Sequence, residues 1–260
     1  MELRAPGCTA GRPPSHYKNE HLHSRNTEMN NQYLNFSSPA GASAITPVVT
    51  LCLLDLSVSM DGHDFEPSRL EGGLQAIRAM LQEKKKSRPG DKLGVVGFSS
   101  RGSVICPPTN VGQDSAILRT LRRVESQWST DFTAGFKLAK RLLDKEARVG
   151  RRGGGILRRM LGVGKPAQGA SDVAFAAHIV FLSDGEHNGE GSPRQWAQKL
   201  KDAGVQIDCV GIGGSPAEVD EILLKAMAST GPDGKPRYRF IGDTASLVSD
   251  FRRMASLQIC

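Results

Sequence analysis

From residue 47 onward the chain alternates short apolar runs with stretches that repeat apolar side chains every three or four residues, and few folds accommodate that rhythm. The runs at 48–54, 93–98, 178–183 and 205–212 are rich in β-branched residues and bounded by Gly, Asp or Ser, as strands buried on both faces tend to be. Between them, Leu70, Leu74, Ile77 and Leu81 recur at helical spacing. Ile117, Leu121 and Val124 do the same, as do Val219, Leu223 and Met227. Pro67 and Pro193 are expected in first helical turns, Pro193 directly after the N-cap Ser192. The run at 102–106 follows Phe98 too closely for a crossover helix, so it is expected to pair antiparallel at an edge. A strand near 237–241 and a helix over 244–256, built on Leu247, Phe251 and Met254, close the pattern. The sum predicts an α/β fold: a doubly wound, mostly parallel six-stranded sheet with one antiparallel edge strand and helices on both faces.

Two segments stand outside this rhythm. Residues 1–45 are polar, rich in Pro, Asn, Ser and His, and without sustained period, so a disordered N-terminal tail is expected there, with Met29 as an alternative start. The tail's His16, His21 and His23 read as solvated rather than metal-binding. Between Lys137 and Lys165 lie ten Lys/Arg and two acids, so the chain's net charge of +7 is concentrated in one stretch. The part of it from Ala147 to Val173, heavy in Gly and Arg, reads as a surface insertion, most simply a flexible loop. The alternative is an anionic-surface docking element with Ile156, Leu157, Met160 and Leu161 on one helical turn.

The five cysteines are scattered without a Cys-x-x-Cys pair, which indicates neither a zinc site nor a disulfide framework. Cys52 and Cys209 lie in apolar runs and are expected as core residues. No apolar stretch approaches the roughly 20 residues that cross a bilayer, and no signal-peptide core is visible near the start. A cytoplasmic location and a reducing compartment follow as expectations.

Chemistry gathers where strands end. Asp55-Leu56-Ser57-Val58-Ser59 terminates the first apolar run, placing one carboxylate and two hydroxyls where ligands bind in an open α/β sheet. Ser129-Thr130-Asp131 precedes a helix, and Ile179-Val180-Phe181-Leu182 runs into Ser183-Asp184-Gly185. The three segments meet if the strands carrying Asp55 and Asp184 are neighbours. In this order and spacing, they resemble the von Willebrand factor A domain, whose metal-ion-dependent adhesion site uses such a set. The resemblance spans about residues 46–256, and the domain is expected to fill 46–260. It resembles the stand-alone intracellular type found in bacteria.

That resemblance implies a divalent cation held by Ser57, Ser59 and Thr130, with Asp55 and Asp184 as carboxylates acting directly or through water. Mg²⁺ fits such a hard, oxygen-only set, and Mn²⁺ can substitute. Hydroxyl ligands leave much of the cation's charge unquenched, so it seeks a further anionic ligand. An Asp or Glu from a partner protein is the implied occupant, which makes the domain a protein-interaction module and not an enzyme. Ser129 departs from the family pattern, where Gly is common. Asp61, Asp64 and Glu66 are expected to solvate the loop after Ser59 and start the next helix. His187 is expected near the mouth of the site and His178 in the core or at an edge.

Other functions lack a component each. Position 57 is Ser, where a haloacid-type phosphatase needs a second Asp. Arg101 fills the last position of Gly97-Phe98-Ser99-Ser100-Arg101, which removes a Gly-x-Ser-x-Gly nucleophile elbow. Gly211-Ile212-Gly213-Gly214 continues as Ser215-Pro216, short of a dinucleotide fingerprint. The basic segment has no interleaved aromatics to read nucleic acid. The alternatives kept are a metal-dependent hydrolase or an anionic-surface binder acting through that segment.

Overall fold

A computed structural model describes residues 46–127, 129–160 and 175–256. The tail expected over 1–45 lies outside the described residues. Six strands form one sheet: β1 (Val48–Asp55), β2 (Lys92–Phe98), β3 (Gly102–Asn110), β4 (Ala176–Ser183), β5 (Gln206–Ile212) and β6 (Tyr238–Ile241). Their order is β3-β2-β1-β4-β5-β6. All neighbouring pairs are parallel except β2 with β3, which is antiparallel at the edge. Among the described residues six α-helices accompany them: α1 (Arg69–Ser87), α2 (Asp114–Leu121), α3 (Phe132–Met160), α4 (Pro193–Asp202), α5 (Glu221–Met227) and α6 (Thr244–Ser256).

Strand alternation divides the core between two faces. On β1, Leu51 and Leu53 pack on the side of α3, α4 and α5, with Ile179 and Phe181 of β4. Cys52 and Leu54 point the other way and meet α1, α2 and α6, with Val180 and Leu182. All eight positions are buried, which is why both strands read as unbroken apolar runs in sequence. Cys52 and Cys209 are core residues, as their context predicted, and Cys106 is buried as well. Both neighbours of β1 lead away from it, β2 to one side and β4 to the other. The chain's direction across the sheet reverses between β1 and β4, so their carboxyl ends flank the crevice where this architecture binds ligands.

Several local expectations need correction. Pro67 is not in the first turn of α1: the helix starts at Arg69, and its N-cap is Ser68, whose hydroxyl accepts the Glu71 amide at 3.2 Å. Ser192 and Pro193 do cap and open α4. Val124 falls beyond α2 and Val219 before α5, so each three-residue stripe overruns its helix. The edge strand β3 runs on to Asn110 through Pro107 and Pro108, with irregular register against β2. An edge tolerates this because a proline there forfeits no interior ladder bond.

The largest difference concerns the stretch read as a flexible loop from Ala147. The backbone of α3 stays helical through it to Met160, carrying Gly153, Gly154 and Gly155. Its buried face, Phe132, Phe136, Ala139, Leu143 and Ala147, sustains the helical period into this stretch. Interior glycines weaken a helix by about 1 kcal/mol each without forbidding it. Residues 161–174 lie outside the described residues.

Candidate metal centre

Asp55 is the last residue of β1 and is fully buried. Its Oδ1 accepts the Ser57 amide at 2.8 Å, and its Oδ2 accepts the Ser183 hydroxyl at 2.6 Å. Ser183 ends β4, and Leu54 and Leu182 are register partners, so the neighbour relation on which the site depends is present. Burial pushes the Asp55 carboxyl up to about 6 against the pull of those hydrogen bonds. The charged form of Asp55 thus has donors around it but, among the described residues, no cation in hydrogen-bond contact.

After Asp55 the chain turns through a short 3-10 segment, Val58–Asp61, which aims successive hydroxyls back toward β4. The Ser57 and Ser59 oxygens are 2.9 Å apart. Ser59 Oγ donates to Asp184 Oδ1 at 2.9 Å, and Ser57 Oγ lies 3.5 Å from the same atom. Those separations test the fit of a cation directly. Oxygens about 2.1 Å from an octahedral Mg²⁺ sit about 3 Å apart along each edge. Two of the three separations match that edge and the third is slightly open. The donor set is hydroxyl and carboxylate oxygen without sulfur or imidazole, which suits Mg²⁺ or Mn²⁺.

Thr130 comes from a third loop, stitched to the first two by backbone bonds. Leu56 donates to the Phe98 carbonyl at 2.9 Å, Asp131 to the Ser99 carbonyl at 2.7 Å, and Gln127 to the Leu56 carbonyl. The Thr130 carbonyl accepts the Asn188 amide at 2.9 Å, which ties in the loop after β4. Thr130 is buried. Asp131 caps α3 through the Ala134 amide at 3.2 Å. Below, Phe132 packs edge-on to Phe181 at 4.9 Å, and Phe181 stacks on Phe98 at 4.9 Å and Phe136 at 5.1 Å. This aromatic block fixes the start of α3 under the loop. Ser129 has φ 75°, the left-handed region that glycine enters freely. The departure from the family's Gly is therefore a residue held in a strained backbone.

The structure brings Asp55, Ser57, Ser59 and Asp184 into one hydrogen-bonded set and seats Thr130 on the adjoining loop. His187 lies beside the loop that carries Thr130: its Nδ1 accepts the Phe132 amide at 3.2 Å and is 3.9 Å from Asp131 Oδ1. His178 is buried and bonds Asp208 at 2.7 Å. Asp61 accepts the Ser126 hydroxyl and Asp64 grips Arg69, so both do more than solvate their loop.

Arg69 is the principal residue missed by sequence reading. Its Nη1 donates to Asp184 Oδ2 at 3.0 Å, while Nε and Nη2 hold Asp64 at 2.9 and 2.6 Å, and Nη2 also reaches Glu218 at 2.5 Å. Burial raises the Asp184 carboxyl even with this guanidinium beside it. The neglected signal is electrostatic: an arginine at the first position of a helix faces the positive end of the macrodipole and needs local anions to settle there. Gly72 and Gly73 permit the approach. A Cβ on Gly73 would meet the Leu182 side chain at 2.8 Å, and one on Gly72 would meet Phe65 at 2.6 Å.

Residues 50–160 match the sequence model of the von Willebrand factor type A domain. A UPF0353 protein of Mycolicibacterium paratuberculosis is 28% identical over 179 residues, 66% of this chain and 47% of that protein. The chain thus spans about half the length of this curated relative. A von Willebrand factor type A structure from Catenulispora acidiphila superposes with TM-score 0.61 at 18% identity, over 82% of this chain and 42% of that one. BatB from Bacteroides thetaiotaomicron gives 0.55 at 21% identity, over 81% and 97%. Proximal thread matrix protein 1 from mussel byssus, solved with its MIDAS motif occupied by zinc, gives 0.56 at 16% identity, over 81% and 47%. Residues 50–160 are thus similar to the von Willebrand factor type A domain, and the fold is shared with solved structures of that type.

Proposed function

We propose that this chain is a divalent-metal-dependent protein-interaction module. Ser57, Ser59 and Thr130, with Asp55 and Asp184, would hold Mg²⁺ or Mn²⁺, and the bound ion would supply an electrophilic point for an Asp or Glu of a partner protein. The carrying observation is the convergence of Ser57 Oγ, Ser59 Oγ and Asp184 Oδ1 at separations of 2.9 to 3.5 Å. The zinc-occupied motif in the byssus protein, on the same fold, lends further support.

The same geometry favours binding over catalysis. Asp55 is fully buried and committed to the Ser57 amide and the Ser183 hydroxyl, which suits ligand orientation and leaves no face for nucleophilic attack. The hydroxyl of Ser57 spans from Ser59 to Asp184, and no histidine bonds it among the described residues. A cytoplasmic setting belongs to the same proposal, and the free thiols of Cys52, Cys106 and Cys209 suit a reducing compartment. Among the described residues no helix is long and apolar enough to cross a membrane.

The deciding experiment is thermal unfolding against MgCl₂ and MnCl₂ for the wild type and a Ser57→Ala/Ser59→Ala variant. An ion that binds only the folded state at 100 times its Kd adds about 2.7 kcal/mol, and the wild-type midpoint should climb by several degrees. The variant should not respond. An equal rise in both proteins would remove the assignment.

A further inference from the structure

We infer that Arg69 sets the cation selectivity of this site by leaving Asp184 one free oxygen. The inference rests on the metal reading above and concerns a residue outside the set that the family resemblance supplies. Asp184 presents its two oxygens to opposite groups. Oδ1 faces the Ser57 and Ser59 hydroxyls, at 3.5 and 2.9 Å, while Oδ2 is held by Arg69 Nη1 at 3.0 Å. A carboxylate so divided offers a metal one oxygen.

The guanidinium is not free to step aside. Asp64 takes it through two parallel bonds, Glu218 adds a third carboxylate, and the side chain is only 11% exposed. A planar fork bound on three sides keeps its geometry where a lysine ammonium would not. The anchors also come from different parts of the fold. Asp64 precedes α1, Asp184 follows β4, and Glu218 lies in the short 3-10 turn after β5. Gly213 keeps the last approach open: its φ is +157°, and a Cβ there would meet the Glu218 carboxylate at 2.9 Å.

Two consequences follow for an ion beside Ser57 and Ser59. Its field meets a fixed positive charge on the far side of Asp184, which weakens every divalent cation. The loss of a second oxygen falls unequally. Mg²⁺ is satisfied by six oxygens in an octahedron, one from each carboxylate, whereas Ca²⁺ takes six to eight and draws on bidentate carboxylates. Arg69 thereby discriminates against Ca²⁺ more than it weakens Mg²⁺.

The test is calorimetric titration of the full chain with MgCl₂ and with CaCl₂, for the wild type, Arg69→Gln and Arg69→Lys, with metal-free thermal melts to establish folding. Arg69→Gln should bind both ions more tightly, with the Ca²⁺/Mg²⁺ affinity ratio raised about tenfold. Arg69→Lys keeps the charge without the fork and should fall between it and the wild type. Should Arg69→Gln fail to fold, the Lys variant alone carries the test, because any loosening of Asp184 Oδ2 must still raise the ratio. An unchanged ratio in a folded variant, with Mg²⁺ bound, overturns the inference and leaves Arg69 a structural tie. No Mg²⁺ binding by the wild type removes the metal reading itself, and this inference with it.

Discussion

The two ends of this sheet both hold buried charge, and they treat it in opposite ways. At the amino-terminal end, Asp91 is closed: Oδ2 accepts Lys84 at 2.7 Å and Arg88 at 2.9 Å, and Oδ1 accepts the Val48 amide at 2.9 Å. All three side chains are buried. Asp208, two residues into β5, is closed as well, by His178 at 2.7 Å and Arg237 at 3.0 Å. At the carboxyl-terminal end, Asp55 has a hydroxyl and an amide but no contacting cation among the described residues, and Asp184 shares Arg69 with two other carboxylates. One guanidinium there is divided among three carboxylates, and Asp55 is not one of them. A carboxylate with matched cations is architecture, whereas one left short of positive charge suits the cation site proposed above.

The sharpest way to break that comparison is to neutralise one carboxylate at each end without metal. Asp91→Asn leaves Lys84 and Arg88 buried without their counter-charge and should cost about 3–5 kcal/mol in denaturant unfolding. Asp55→Asn removes a buried charge that has no cation beside it, and should change metal-free stability by less than about 1 kcal/mol. Comparable losses from both would erase the distinction between the ends.

A smaller effect is expected from acid. Burial raises the Asp208 carboxyl, but His178 and Arg237 outweigh it and hold the group down at about 2. The folded protein therefore releases this proton more readily than the unfolded chain. The resulting stability, about 2 kcal/mol, is complete above the ordinary carboxylate range near 4 and drains away as pH falls toward 2. Comparing the acid limb of wild-type unfolding with that of Asp208→Asn reads it out: the variant's limb should be shallower over that window. Parallel limbs would show that the pair does not hold the carboxylate.

The smallest expected effect sits in the loop that presents Thr130. Ser129→Gly relieves a side chain at positive φ and should gain about 0.5–1 kcal/mol, net of glycine's greater freedom in the unfolded chain. A loss by equilibrium unfolding would mean that Ser129 makes a compensating contact.

Much of this was legible in the linear chain because it depends on period and order. Strands β1, β2, β4 and β5 are buried on both faces, so burial writes itself into consecutive residues, and each was located to within two residues at either end. The edge position of β3 followed from a loop too short for a crossover. The strand ends that carry Asp55 and Asp184 and the helix start after Thr130 were legible from pattern, while their grouping with Ser57 and Ser59 as one ligand set came from the family resemblance. The helical course of residues 147–160 was not found, since glycine content argues locally against a helix, although the buried face of α3 reaches Ala147.

Pattern and chain order thus determined the sheet, its edge and the oxygen-bearing residues of the site. Tertiary structure alone decided which carboxylates have cations beside them. Arg69 is distant in sequence from Asp184 and Glu218, and they meet where α1 packs on β4 across Gly73 and the ends of β4 and β5 lie side by side. Coulomb interaction depends on distance in space, and no local period in the sequence records it.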